Sequence, residues 1–426
     1  MSTSEYAAWV GIDWADEEHA LCLLPPAEDA VAEHQVLPQR AAAIDDWAAK
    51  LRARFDGRPV AVCLEASRGA LVYALMKYEH LVLFPLNPKQ LAKYRQAVFP
   101  SGAKDDPGDA ELLARFVREH HARLRAWRPD DAITRGLRLL GESRRQWVDE
   151  RTAAGNRLLR HLKEVYPLAL TLLGKHVYTK TFLTLLEKFP AQRELQRASP
   201  QQLARYLPKL RRVVDDALID PRIAAIRQAM PLVTDAAVLQ NGRLAVVHLV
   251  TQLQQLNTTI AEYDEPLNAL VAKHPDAPLF ASFPGAGAAL VPRLAAAFGS
   301  DRTRYAAAAE LQSLSGVAPV TIRSGKSRHV KMRRACPHFL RQTFHEFARC
   351  TLKTSRWAQA YYAMLRAKGH KFHSAVRALA FKWLRILFRC WQTRQPYVEA
   401  QYLQHLRQRH SPLLAFLPPE ENPANA

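Results

Sequence analysis

Two groups of side chains in this sequence have the types and spacing to do chemistry. The first is TIRSGKSRHVKMRR, residues 321–334, where Ser324 and Ser327 flank Gly325 and Lys326 amid Arg323, Arg328, Lys331, Arg333 and Arg334. Arg341 adds a seventh cation, and no carboxylate follows before Glu346. Three chemistries fit a Ser-Gly pair in such a field: a nucleotide-phosphate loop, a basic loop gripping backbone phosphates, or a seryl nucleophile aimed at a phosphodiester. Spacing removes the first, because a Walker A loop needs a glycine five residues before its Gly-Lys-Ser and Val320 stands there. The other two stay open, as does the choice between Ser324 and Ser327.

The second group is four carboxylates. Asp13 and Glu65 each close an apolar run, AWVGID and RPVAVCLEA, while Asp106 and Asp109 lie three apart at the start of a helical pattern and so share a face. Hard oxygen ligands of this kind suit Mg2+ or Mn2+, which neutralises developing charge and orients the attacking and leaving oxygens of a phosphoryl transfer. Singly, each has a plainer role. Asp106 before Pro107 suits a helix N-cap, Asp109 a first helical turn, and a strand-end carboxylate can simply face water. Their joint order and placement point to a metal site; Asp105, Asp16 and Glu17 are the neighbours most easily confused with ligands.

The elements that must position these groups read in three regions. Over residues 5–125, AWVGID, HALCLL and VAEHQVL read as strands and AAAIDDWAAKLRARF as a helix. RPVAVCLEA and LVLFPLN are two further strands, each followed by a helix, ALVYALMKYEH and PGDAELLARFVREH. That order is an α/β mixed sheet flanked by helices, the order of the RNase H-like fold. Residues 130–275 are helical, with Val246, Leu249, Leu253, Leu256, Ile260 and Tyr263 in an a/d seam that Pro266 interrupts. The seam predicts a coiled coil that pairs protomers, with an intramolecular helical hairpin as the other solution. Residues 277–405 are again mainly α. They open with FASFPGAGAALVPRLAAAFG, whose PGAG turn resembles a helix-hairpin-helix suited to a phosphate. Residues 406–426 read as a polar, disordered tail.

Composition narrows the partners. The chain has 426 residues, 48% hydrophobic and 23% charged, with 60 Lys plus Arg against 40 Asp plus Glu, a net charge of +20. That excess predicts a polyanionic partner, nucleic acid first. No apolar run nears the roughly 20 residues of a membrane span, and MSTSEYAAW lacks a signal-peptide pattern, so the expectation is a cytoplasmic, nucleoid-associated protein. Five scattered cysteines without a CxxC pair support neither a disulfide framework nor a zinc ribbon.

The stretches VGIDWADEEHALCLL, VCLEASRGALVYAL, NPKQLAKYRQA and SGAKDDPGDAELLA resemble the N-terminal RuvC-like domain of transposases of insertion-sequence-110-type elements. FASFPGAGAALVPRLAAAFG, RYAAAAELQSLSGVAPVTIRSGKSRHV and CPHFLRQTFHEFA resemble the C-terminal transposase domain of that family, although Cys336, Pro337 and His338 replace its Gly-Asn before Leu340 and Arg341. The resemblance implies a DNA recombinase. Its Asp-Glu-Asp-Asp tetrad falls on Asp13, Glu65, Asp106 and Asp109, within a Lys104-to-Ala110 stretch for the last two, and its serine on Ser324 after GVAP. It further implies a structured bridge RNA that pairs with donor and target DNA, and dimers that join in a tetrameric synapse where one protomer's metal domain faces another's serine. The competing expectations are a RuvC-like nuclease with a passive Ser324 and a non-catalytic nucleic-acid-binding protein.

Overall fold

The computed structural model describes residues 5–27, 31–65, 69–98, 105–207, 221–325 and 327–419. The chain forms two compact units, Met1–Pro129 and Asp130–Ala426.

The first unit is built on a five-stranded mixed sheet of order β3-β2-β1-β4-β5: β1 (Ala8–Asp13), β2 (Glu18–Leu24), β3 (Glu33–Pro38), β4 (Val60–Leu64) and β5 (Leu81–Pro85). β1 runs antiparallel to β2, with Asp13 opposite Ala20, and parallel to β4, with Ile12 opposite Leu64. Alternation divides the strands between two cores. Ala8, Val10 and Ile12 face the core of helices α1 (Ala41–Arg54) and α2 (Ala70–Leu75), while Trp9, Ala61 and Cys63 face the core of α3 (Pro88–Val98) and α4 (Asp106–His120). Trp9, Gly11 and Asp13 therefore share the α4 side, and Glu65 continues the parity of Ala61 and Cys63 toward it.

The second unit turns on two long antiparallel helices, α5 (Ala132–Val165) and α11 (Ala236–Lys273), about 51 and 57 Å long at the usual rise. Arg144 pairs with Asp264, Arg151 with Asn257 and Arg157 with Gln252, which fixes the antiparallel register. Gly136 and Gly242 let the axes approach, since a Cβ on either would lie 2.7 Å from Leu270 or Val165. The sequence seam is used here: Val246, Leu249, Leu253 and Leu256 are buried against Ala154, Leu158, Leu162 and Val165 of the same chain. Pairing of protomers through this seam is thus corrected to an intramolecular hairpin, because apolar residues already buried have no free face for a partner. Pro266 does not interrupt α11 either. It is exposed, so the lost backbone bond falls on the solvent side while Leu267 stays buried.

Five short helices, α6 (Pro167–Leu173), α7 (Lys180–Lys188), α8 (Gln192–Arg197), α9 (Pro200–Tyr206) and α10 (Pro221–Gln228), are placed between α5 and α11 in the chain. After α11 come α12 (Ala277–Ala281), α13 (Val291–Phe298) and α14 (Ala308–Leu314), then α15 (His338–Thr351), α16 (Arg356–Ala367), α17 (Phe372–Thr393) and α18 (Glu399–Gln408). Their core holds Trp357, Trp383 and Trp391; Trp357 donates to the Tyr397 hydroxyl at 2.7 Å and Trp383 to Thr351 Oγ1 at 2.9 Å. All eight residues of α13 are buried, with Arg293 turned inward to Thr343 and Glu346, so this helix is a core element and only the Gly287–Ala289 entry is open to solvent. Of the tail over 406–426 expected to be disordered, residues 406–419 are ordered: a turn over Pro412–Phe416 buries Leu413 in the same core.

One β element interrupts these helices, a hairpin of β6 (Val320–Ser324) and β7 (Ser327–Lys331). The basic stretch, read from sequence as a loop, is this hairpin. It shows no period-2 burial because every residue of the two strands but half-buried Val320 is exposed. No described helix is long and apolar enough to cross a membrane.

Candidate active site

The carboxylates are positioned by a close approach of strand and helix. A Cβ on Gly11 would lie 1.9 Å from the Ala110 carbonyl oxygen and 2.5 Å from the Ala114 nitrogen, so only glycine lets α4 rest directly on β1. Asp13 lies two residues beyond this contact on the strand, and Asp109 one residue before it on the helix. Glu65 follows the last residue of β4, the strand paired in parallel with β1, so Asp13 and Glu65 lie at one sheet edge. Both are half-buried.

The start of α4 is fixed by Asp105, whose carboxylate accepts from the Gly108 N–H at 3.1 Å. The capping role that sequence allowed to Asp106 thus belongs to its neighbour. Asp106 is the exposed first helical residue. Asp109 is 3% exposed, and Arg95 of α3 donates to it at 2.5 Å. His19, fully buried on β2, accepts from the Ala15 N–H at Nδ1 (3.1 Å) and donates from Nε2 to Gln39 (2.6 Å), which orders the turn after Asp13.

Among the described residues no three His, Cys, Asp or Glu side chains converge closely enough to hold a metal ion. The backbone brings Asp13 and Glu65 to one edge and Asp109 to the same side, while Asp109 is engaged by Arg95. The donor chemistry nonetheless fits Mg2+ or Mn2+: all four are carboxylates, and the buried one already takes a cation as its partner. Burial pushes the Cys22 and Cys63 thiols beside them up to about 12. Lys104 lies outside the described residues.

In the second unit, Ser324 and Ser327 face each other in the last rung of the hairpin, joined by Gly325 and Lys326. Gly325 has φ +55°, the left-handed conformation that tight two-residue hairpin turns require. Lys326 lies outside the described residues. Directly opposed residues share a face, so Arg323 and Arg328 oppose each other on one side, and Ser324, Ser327, Ile322, His329 and Lys331 lie on the other. The Ser327 Oγ is 2.9 Å from His329 Nε2. Two like charges directly opposed are unfavourable until an anion comes between them. The base is anchored where Gly316, at φ +70°, lets Cys336 close in: a Cβ there would meet Cys336 Sγ at 2.2 Å. Arg377 of α17 reaches Met332 Sδ at 2.9 Å just past β7. Arg334 is exposed, and Arg333 and Arg341 are half-buried.

Sequence reading missed Gly11, Arg95, His19 and His329. Gly11 stood in plain view between two apolar residues, and a glycine inside a strand is itself a signal of close backbone approach.

The carboxylates of the first unit and the basic hairpin of the second are the two candidate sites, and comparison with known proteins gives the class of the chain. Residues 10–167 match the family model of the DEDD transposases of IS110 type, and residues 277–363 match the model described as the transposase IS116/IS110/IS902 family. The chain belongs to the insertion-sequence-110 family of transposases, enzymes that cut and rejoin DNA. It is 28% identical to the IS117 mini-circle protein of Streptomyces coelicolor, named as a transposase, over 96% of this chain and 99% of that one. It is 28% identical to the 43.6 kDa protein of IS110 from the same species, over 91% of this chain and 95% of the other. The 42 kDa protein of IS900 from Mycobacterium paratuberculosis is 26% identical over 89% and 94%.

Proposed function

We propose that this transposase is a composite-site recombinase, in which an RNase H-like, RuvC-like first unit supplies a metal-binding Asp13-Glu65-Asp106-Asp109 tetrad and the second unit supplies Ser324 as nucleophile. Bound there, Mg2+ or Mn2+ would neutralise charge on the phosphate and orient its oxygens. The chain's own residues do the rest. Ser324 Oγ attacks phosphorus; Lys331, on the serine face, with Lys326, Arg333, Arg334 and Arg341, holds the charge that develops there, while Arg323 and Arg328 grip backbone phosphates from the opposite face of the hairpin. A phosphoserine link conserves the energy of the broken phosphodiester, so strands are exchanged and resealed without ATP.

The observation that carries this reading is the setting of Ser324, at the tip of an exposed cationic hairpin. A serine used for packing has no reason to sit there, and the opposed Arg323 and Arg328 call for a phosphate. Donor and target DNA are the substrates, and the +20 net charge accommodates a structured bridge RNA as well. We assign a dimer that assembles into a tetrameric synapse, joined by surfaces other than the α11 seam.

Two variants test the proposal. Ser324→Ala abolishes the covalent protein–DNA complex and strand exchange, and Asp13→Ala abolishes both with DNA binding intact. Strand exchange persisting in Ser324→Ala would leave only a metal-dependent nuclease.

A further inference from the structure

A serine hydroxyl is a poor nucleophile until a base takes its proton, and the hairpin offers few candidates. Arginine and lysine side chains are already protonated and cannot accept. No Asp or Glu occurs between Glu310 and Glu346. On the hairpin itself, the one side chain of a type that works as a general base is His329. Its ring lies on the serine face, with Nε2 2.9 Å from the Ser327 Oγ, and Ser327 is paired across the last rung with Ser324. Directly opposed Cβ atoms in such a rung lie about 4.5–5.5 Å apart, within reach of hydroxyl groups on both.

We infer that Ser327 and His329 form a proton relay for Ser324; the inference rests on Ser324 being the nucleophile. With the ring proton on Nδ1, Nε2 accepts the Ser327 proton as Ser327 Oγ accepts that of Ser324. The Ser324 Oγ–phosphorus bond forms, one phosphorus–oxygen bond to deoxyribose breaks, and the departing oxygen takes a proton to leave as a hydroxyl. His329 returns to neutrality when that proton is supplied from its ring. The exposed hairpin explains why the relay works only on substrate: a DNA strand laid over this face excludes water, which strengthens the serine–histidine bond at the moment of attack. Ser327 thereby passes a proton from Ser324 to His329 and is not a spare nucleophile.

The test is the rate of the SDS-resistant protein–DNA complex on a substrate where the wild-type protein forms it. His329→Ala and Ser327→Ala each slow it about a hundredfold, the scale of general base catalysis, with unchanged DNA affinity. The double variant is no slower than either single one, and added imidazole restores the rate of His329→Ala but not of Ser327→Ala. Wild-type rates in either variant, a loss explained by weakened DNA binding, or failure of imidazole to rescue would each overturn the relay. A wild-type protein that forms no adduct at all counts instead against Ser324 as nucleophile.

Discussion

Asp109 is a buried carboxylate that needs a counter-charge, and Arg95 provides it at 2.5 Å with 18% of its own side chain exposed. Removing one partner of such a pair leaves an uncompensated charge inside the fold. Arg95→Leu is expected to destabilise the protein by about 3–5 kcal/mol in chelator. Millimolar Mg2+ should return part of that loss if Asp109 is a ligand, as urea midpoints with and without the cation would reveal. A second residue sets the response to acid. His274, at the C-terminal end of α11, accepts from the Asp276 N–H at Nδ1 and meets Thr134 Oγ1 at 3.1 Å through Nε2. Burial holds it below its ordinary value of 6.5, against the opposing pull of Asp276 and Asp131. The unfolded chain therefore takes up a proton first as pH falls, so stability is complete above about 6.5 and declines below it. The expected result is a melting temperature that drops between pH 7 and 5, with a shallower drop in His274→Gln; an equal slope in the variant would show that other groups set the acid limit.

At the level of elements, two glycines set where the proposed site residues stand. Gly11→Val drives a branched side chain into the α4 backbone, and α4 must move off β1 with Asp109. A loss of about 1–3 kcal/mol or more is expected, together with loss of strand exchange, and near-native stability would contradict the close packing. Gly325→Val demands a left-handed conformation of a β-branched residue at the turn. The hairpin should shift register there and adduct formation fall while the melting temperature holds, since the hairpin contributes little to the core. The same two elements show what sequence could convey. Asp13 and Glu65 were legible because buried apolar strands end on them. α3 escaped notice because Leu91 alone among its residues is buried, which leaves no apolar stripe to read. The hairpin escaped for the same reason, as its ladder is made by backbone groups that any sequence carries. The seam of α11 was legible as a seam, but periodicity cannot say whether the facing helix belongs to the same chain; that answer came from α5.

For the whole molecule, +20 net charge and a hairpin of opposed arginines predict that phosphate contacts are the main source of DNA affinity. DNA binding should weaken by orders of magnitude between 50 and 200 mM salt, and Arg323→Ala with Arg328→Ala should flatten that dependence; an unchanged salt slope would place the contacts elsewhere. The division of labour between units is the central claim, with the carboxylates in Met1–Pro129 and the serine in Asp130–Ala426. The most direct measurement is mass spectrometry of the denatured, nuclease-trimmed reaction product of the wild-type protein with DNA. The account predicts a nucleotide phosphate esterified to Ser324. Strand exchange with no modified serine, or with the modification on another residue, would contradict it.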